Sequence, residues 1–188
     1  MLKVNYRNAT DILTTAMAIL DGQPFDDIDG SVITTPASVE TSYHDGTVVR
    51  VVAATADEHD NALITALTEL TSDKTVSDGR PGDTAILCAR TRDVAYYHWL
   101  LLRAGLPVCK LSDYDGQPVN AIKVGTFLRA KGLEFKYVFL PRHDEALHDA
   151  QHGGLADTDR TALAKRQLFV GMTRARDLLW LSTVAAHG

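Results

Sequence analysis

Apolar positions along the chain switch repeatedly between helical and strand spacing. Ile12, Leu13, Ala16, Ile19 and Leu20 recur at helical intervals, predicting a helix over Ala9–Leu20 that stops at Asp21-Gly22. Asp21–Thr41 reads as loop, punctuated by Pro24, Gly30 and Pro36. The β-branched run Thr47–Ala54 predicts a strand. Asp57–Leu70 predicts a helix with Ala62, Leu63, Ala66, Leu67 and Leu70 on one face, capped by Asp57, and Thr71–Asp83 a polar linker. Thr84–Cys88 reads as a short buried strand, Asp93–Ala104 as a helix closed by Gly105, and Pro107–Leu111 as a further strand. Ala121–Phe127 and Lys136–Leu140 predict two more strands, Asp144–Thr158 a surface loop, Thr161–Thr173 a helix and Leu178–Val184 a final strand. Strands alternating with helices predict an α/β fold with a mostly parallel sheet covered on both faces, where ligands gather at strand ends.

Composition narrows the class. At 188 residues and 45% hydrophobic, the chain carries enough apolar surface for one core, so residues 1–188 are expected to form a single domain. No apolar run is long enough to span a membrane, and the first residues do not resemble a secretory signal. Cys88 and Cys109 are the only cysteines, which excludes a disulfide framework and a four-cysteine zinc site and makes the cytoplasm the expected compartment. The net charge of −5 hides an asymmetry: residues 1–120 hold 9 Lys+Arg against 17 Asp+Glu, whereas residues 121–188 hold 10 against 7. A basic final third suits a phosphate-bearing partner, although uneven surface charge accounts for it equally well.

Two segments carry candidate chemistry. In Val124–Leu140, a turn containing Lys131-Gly132-Leu133-Glu134 lies between two strands. Gly132 permits a positive φ or a close ligand approach, Lys131 offers a charge to a phosphate, and Glu134 accepts hydrogen bonds from a sugar hydroxyl. Read without further context, this is an ordinary turn. In Lys165–Leu181, a helix delivers Thr173, Arg174 and Arg176 near its end. Arginine suits bidentate phosphate binding, but an arginine pair here also complements a helix C-terminal dipole.

Taken together, the two segments resemble motifs V and VI of UvrD-like superfamily 1 helicases, roughly T-x-H-x-x-K-G-L-E-F and Y-V-A-x-T-R-A-R. Thr126 and Ala130-Lys131-Gly132-Leu133-Glu134-Phe135 match the first (motif V, near 124–135), and Phe169-Val170-Gly171-Met172-Thr173-Arg174-Ala175-Arg176 the second (motif VI, near 166–176). Val4-Asn5-Tyr6-Arg7-Asn8 is similar to motif IV (near 4–8). Ala85-Ile86-Leu87-Cys88-Ala89-Arg90 with Ala104-Gly105-Leu106-Pro107 is similar to the family's AILxR…aGIP segment. The resemblance implies a RecA-like three-layer α/β/α sandwich, the second motor domain of an ATP-dependent DNA helicase or translocase moving 3′ to 5′. It implies that Arg7 and Arg174 reach the γ-phosphate of ATP, with Arg174 as arginine finger. Tyr6 would stack on adenine, Glu134 would bond the ribose and Gly132 would lie beside the nucleotide. Thr126, Arg90 and Lys131 would hold single-stranded DNA, and Thr173 would lie where nucleotide and strand communicate. No metal site is expected in this chain, because Mg²⁺ would be held by an N-terminal RecA-like partner domain.

The chain departs from the pattern at Leu128, where the family has His, at Phe169 in place of Tyr, at Arg92, where some relatives have Asn, and at Leu163-Ala164, where an acidic residue is common. It contains no G-x-x-x-x-G-K-[ST] phosphate loop, so the isolated chain is expected to hydrolyse no ATP. A free-standing, non-catalytic module binding single strands or a protein, and a HelD-like ATPase fragment associated with RNA polymerase, are the alternatives. Two clusters mimic other chemistry. Asp57-Glu58-His59-Asp60 resembles a Walker B segment but reads as a helix start. His143, Asp144, Glu145, His148, Asp149 and His152 contain metal-ligand spacing but read as a solvated loop.

Overall fold

The computed structural model describes residues 4–5, 9–20, 25–26, 32–33, 40–41, 46–72, 81–150 and 157–185. Its centre is a six-stranded sheet built from β5 (Thr47–Ala53), β6 (Thr84–Cys88), β7 (Val108–Lys110), β8 (Ile122–Thr126), β9 (Phe135–Leu140) and β10 (Ala175–Val184). The spatial order is β5-β10-β9-β6-β8-β7, and every pairing is parallel. The expected parallel sheet is therefore present. Within the segment expected to be loop, Phe25–Asp26 (β2) and Val32–Ile33 (β3) pair antiparallel, and Glu40–Thr41 (β4) pairs parallel with Val4–Asn5 (β1).

Strand periodicity assigns the two faces. Ala85, Leu87, Val138, Leu140, Leu179 and Leu181 point to one side, where α1 (Thr10–Ile19) and α5 (Asp157–Met172) bury Ile12, Ala16, Leu168 and Met172 against them. Ile86, Cys88, Ile122, Val124, Phe139 and Trp180 point to the other side, under Leu63 and Leu67 of α2 (Ala56–Ser72) and Tyr97 and Leu101 of α3 (Thr91–Arg103). Helix, sheet and helix layers make the α/β/α sandwich anticipated from the motifs. Gly105, at φ +73°, ends the α3 segment in the left-handed region, as expected of a glycine just past a helix.

Two local expectations are corrected. The cap of α2 is Thr55, whose Oγ1 accepts the Glu58 amide at 3.2 Å, while the Glu58 carboxylate accepts the Ala54 amide at 3.0 Å. That reciprocal arrangement starts the helix before Asp57, leaving Asp57 as a first-turn acid. The polar stretch after β9 is not all loop: Glu145–Ala150 forms α4, which buries Ala150 and packs against α5. Arg90 stabilises it by pairing with Glu145 at 3.6 Å and with Asp149. Helical residues four apart bring these two carboxylates onto one face, so the acids that made the stretch look solvated instead grip a single arginine.

Candidate functional site

The motif V segment does not turn between neighbouring strands, because β6 lies between β8 and β9. Thr126 is level with Cys88 at the C-terminal edge of the sheet, whereas Phe135 is level with Ala175 at the N-terminal edge. Residues 127–134 therefore cross from one edge to the other. They do so on the α1/α5 face, where Phe127 and Ala130 are buried with Leu168, Phe169 and Met172. Gly171 makes room for this crossing: a Cβ there would stand 2.5 Å from Cδ1 of Phe127. Gly132 adopts φ +84°, and a Cβ there would meet nothing within 4 Å, so its value is backbone conformation rather than space.

The crossing divides the expected site residues between two edges. At the N-terminal edge, Glu134 is exposed and Arg174 is 3% exposed. The Arg174 guanidinium donates to the carbonyls of Val170 (3.0 Å) and Leu133 (3.4 Å) and to Oγ1 of Thr173 (3.3 Å). The bond to Val170 closes the C-terminal turn of α5, the dipole-complementing role expected of an arginine there. Thr173 is buried and donates to the carbonyl of Phe169 at 3.0 Å, so it stands with Arg174, on the edge opposite Thr126 and Arg90. Arg176 forms a bidentate pair with Asp177 at 2.8 and 2.9 Å. A cavity of ≈ 960 Å³ opens on this edge, lined in part by Asp83, Tyr114, Lys123, Glu134, Lys136 and Arg176. Lys123 is buried there, donating to the carbonyls of Gly82 and Val119, and burial pulls its ammonium pKa down.

At the C-terminal edge, Thr126 Oγ1 accepts the Arg129 amide at 3.3 Å, and Arg90 is held by the two α4 carboxylates. Lys131 and Leu128 are exposed on the crossing segment. A second cavity, ≈ 370 Å³, is bordered by Arg90, Arg92, Tyr96, Arg142 and His143. Tyr6 and Arg7 lie outside the described residues, as does His152. Among the described residues no group of three metal-ligating side chains forms, and no helix is long and apolar enough to cross a membrane.

The residues dismissed as a helix start form a buried network beside this edge. His59 Nδ1 lies 2.9 Å from Asp60 Oδ1, and His59 Nε2 lies 2.7 Å from Ser182 Oγ. Asp60 also accepts from Tyr96 Oη and faces Arg142 at 3.6 Å. Burial pushes the Asp60 carboxyl pKa up, but the hydrogen bonds from His59 and Tyr96 and the charge of Arg142 outweigh it and hold it below 3.8. His59 and Ser182 are each fully buried, so no substrate reaches this Ser-His-Asp arrangement. It fixes Arg142, which sits at φ +49°, against the end of β9. Sequence reading missed it because Ser182 and Arg142 are distant in the chain; the one available signal was a histidine-aspartate pair in a helix's first turns.

The model of the UvrD-like helicase C-terminal domain family matches residues 107–186. This segment is similar to UvrD-like helicase C-terminal domains over 80 of the 188 residues. It contains β7 to β10, α4 and α5, and with them motifs V and VI; the motif IV and AILxR residues precede it. Over a wider span, the fold is similar to the crystal structure of the C-terminal domain of a possible DNA helicase from Lactobacillus plantarum WCFS1, with a TM-score of 0.64 and 17% identity, covering 97% of this chain and 89% of that one. No curated protein matches the sequence.

Proposed function

We propose that residues 1–188 form the second RecA-like motor domain of an ATP-dependent DNA helicase or translocase that moves 3′ to 5′ in the cytoplasm. The observation that carries this reading is the path of residues 127–134. A single segment joins Thr126, beside Arg90 at one sheet edge, to Glu134, beside Arg174 at the other. Displacement at a nucleotide edge is thereby coupled through one packed segment to a strand edge.

In this reading Glu134 bonds the ribose of ATP, Gly132 lies beside the nucleotide and Tyr6 stacks on the base. Arg7 and Arg174 stabilise charge developing on the γ-phosphate. To do so, the Arg174 guanidinium exchanges the Val170 and Leu133 carbonyls for phosphate oxygens as a first RecA-like domain closes on it. That domain supplies the phosphate loop and the Mg²⁺ ligands. Thr126, Arg90 and Lys131 hold single-stranded DNA, and Thr173, bonded to Arg174, transmits nucleotide state.

Two measurements test it. The 188-residue chain alone is expected to show no single-strand-stimulated ATP turnover; turnover above background overturns the division of labour. In a protein carrying both halves of the site, Arg174→Ala is expected to lower kcat by about 10³-fold or more while single-strand affinity stays within a few-fold. The carbonyl-bonded state of Arg174 favours a second reading, a binding module in which this arginine is structural. Unchanged kcat in the folded variant would make this arginine structural, and absence of turnover in the parent two-domain protein would favour the binding module.

A further inference from the structure

α3 turns Tyr97 and Leu101 into the core, and on its opposite side it presents Arg92, Tyr96, Trp99, Leu102 and Arg103 to solvent. The spacing of 92, 96, 99 and 103 places them along one helical face. Large aromatics are costly to leave in water, yet Trp99 is 50% exposed and Tyr96 40% exposed. Each aromatic is backed by a guanidinium: Arg103 lies 4.7 Å from the Trp99 ring centroid and Arg142 lies 5.9 Å from that of Tyr96. Tyr96 is further fixed by its bond to Asp60 and its edge-on contact with Tyr97 at 5.2 Å. The rings are thus held rather than free to fold onto the surface. The stripe starts just after Arg90, at the C-terminal edge where the strand contacts are proposed.

We infer that this face of α3 is a base-stacking platform for single-stranded nucleic acid, with Tyr96 and Trp99 each receiving a base and Arg92 and Arg103 the flanking phosphates. Flat, exposed aromatics interleaved with arginines suit a chain whose repeating unit is a π-face and an anion. Arg103 and Arg92 supply the positive charge that a polyanion needs; Arg92 faces the Asp93 carboxylate at 3.6 Å, a contact that a phosphate would replace. The inference rests on the strand-binding reading above and extends it to residues outside motifs V and VI.

The two tryptophans separate cleanly as probes, since Trp180 is 3% exposed and packs against Phe139 with ring centroids 5.4 Å apart. The 188-residue chain titrated with a short oligothymidylate at low salt is expected to lose tryptophan fluorescence, and Trp99→Phe is expected to abolish the quench while retaining affinity. Trp99→Ala is expected to weaken binding about tenfold with an unchanged salt slope, whereas Arg103→Ala lowers that slope by about one. Circular dichroism and Tm confirm that these surface variants fold. If Arg90→Ala weakens binding but Trp99→Ala binds and quenches as the parent chain does, the platform is wrong and the strand edge stands. Absence of oligothymidylate binding by the parent chain overturns both. Loss of self-association in Trp99→Ala, with oligothymidylate affinity unchanged, makes the face a protein contact and overturns the platform.

Discussion

Arg174 brackets Glu134: its guanidinium donates to the carbonyl of Leu133 at 3.4 Å, and its own carbonyl accepts the amide of Phe135 at 3.0 Å. The arginine and the acid proposed to meet the same nucleotide are thus tied together before any ligand arrives. Arg174→Ala is expected to destabilise the chain by about 1–3 kcal/mol, because carbonyls that it satisfies lose their donor. Urea unfolding checks this, and the result bears on kinetics: turnover of the variant must be measured well below its unfolding midpoint. Lys at this position reaches one carbonyl but cannot fork to several, so it recovers only part of the loss.

Gly171→Ala places a methyl group 2.5 Å from the Phe127 ring, and both sites are buried. The expected cost is about 1–3 kcal/mol of overpacking, read as a lower Tm. Adding Phe127→Leu is expected to relieve part of the clash, so the double variant lies above the sum of the single losses. Strict additivity would show that the two residues do not share this contact.

Gly132→Ala tests conformation alone. With open space around the missing Cβ and φ at +84°, the expected penalty is about 1 kcal/mol, and Asn, which tolerates the left-handed region, costs less. Equal Tm values for Ala and Asn would contradict a conformational origin.

Acidification has a defined sign. Burial lowers the His143 pKa below its unfolded value of 6.5, against the opposing effects of its bond to the Ser182 carbonyl and of Asp144, with Arg50 adding to the lowering. The unfolded chain therefore takes up a proton that the folded chain resists. This contribution to stability is full above pH 6.5 and declines as pH falls through the folded pKa. Urea midpoints measured from pH 7.5 downward are expected to fall in that window, and His143→Gln to flatten this component. The Asp60 carboxyl, held below 3.8, adds a second loss at more acid pH.

Most of the framework was legible because strand and helix periodicities are local. The runs at Thr47–Ala53, Thr84–Cys88 and Thr91–Arg103 announce themselves by residue type, as does the four-residue signature around Glu134. Strand order is not local. Nothing in Ile122–Leu140 reveals that β6 inserts between its two strands, so a crossing segment read as a turn. Likewise α4 was hidden because its carboxylates look solvated until Arg90, far upstream, is brought against them. The Asp60 network depends on Ser182, 123 residues beyond His59, and no spacing rule reaches that far.

The position of β10 has a consequence for how the chain assembles. Leu178–Val184 pair on one side with Thr47–Ala53, and Leu178–Leu181 pair on the other with β9, so among the described residues β5 has no other partner in the central sheet. During synthesis, residues 47–53 emerge more than a hundred residues before the strand that receives them. Their backbone donors and acceptors stay open until residues 175–184 leave the ribosome and close a long loop. Premature termination ahead of Ala175 thus strands β5 and bares one side of β9, making a shortened product prone to edge-to-edge aggregation.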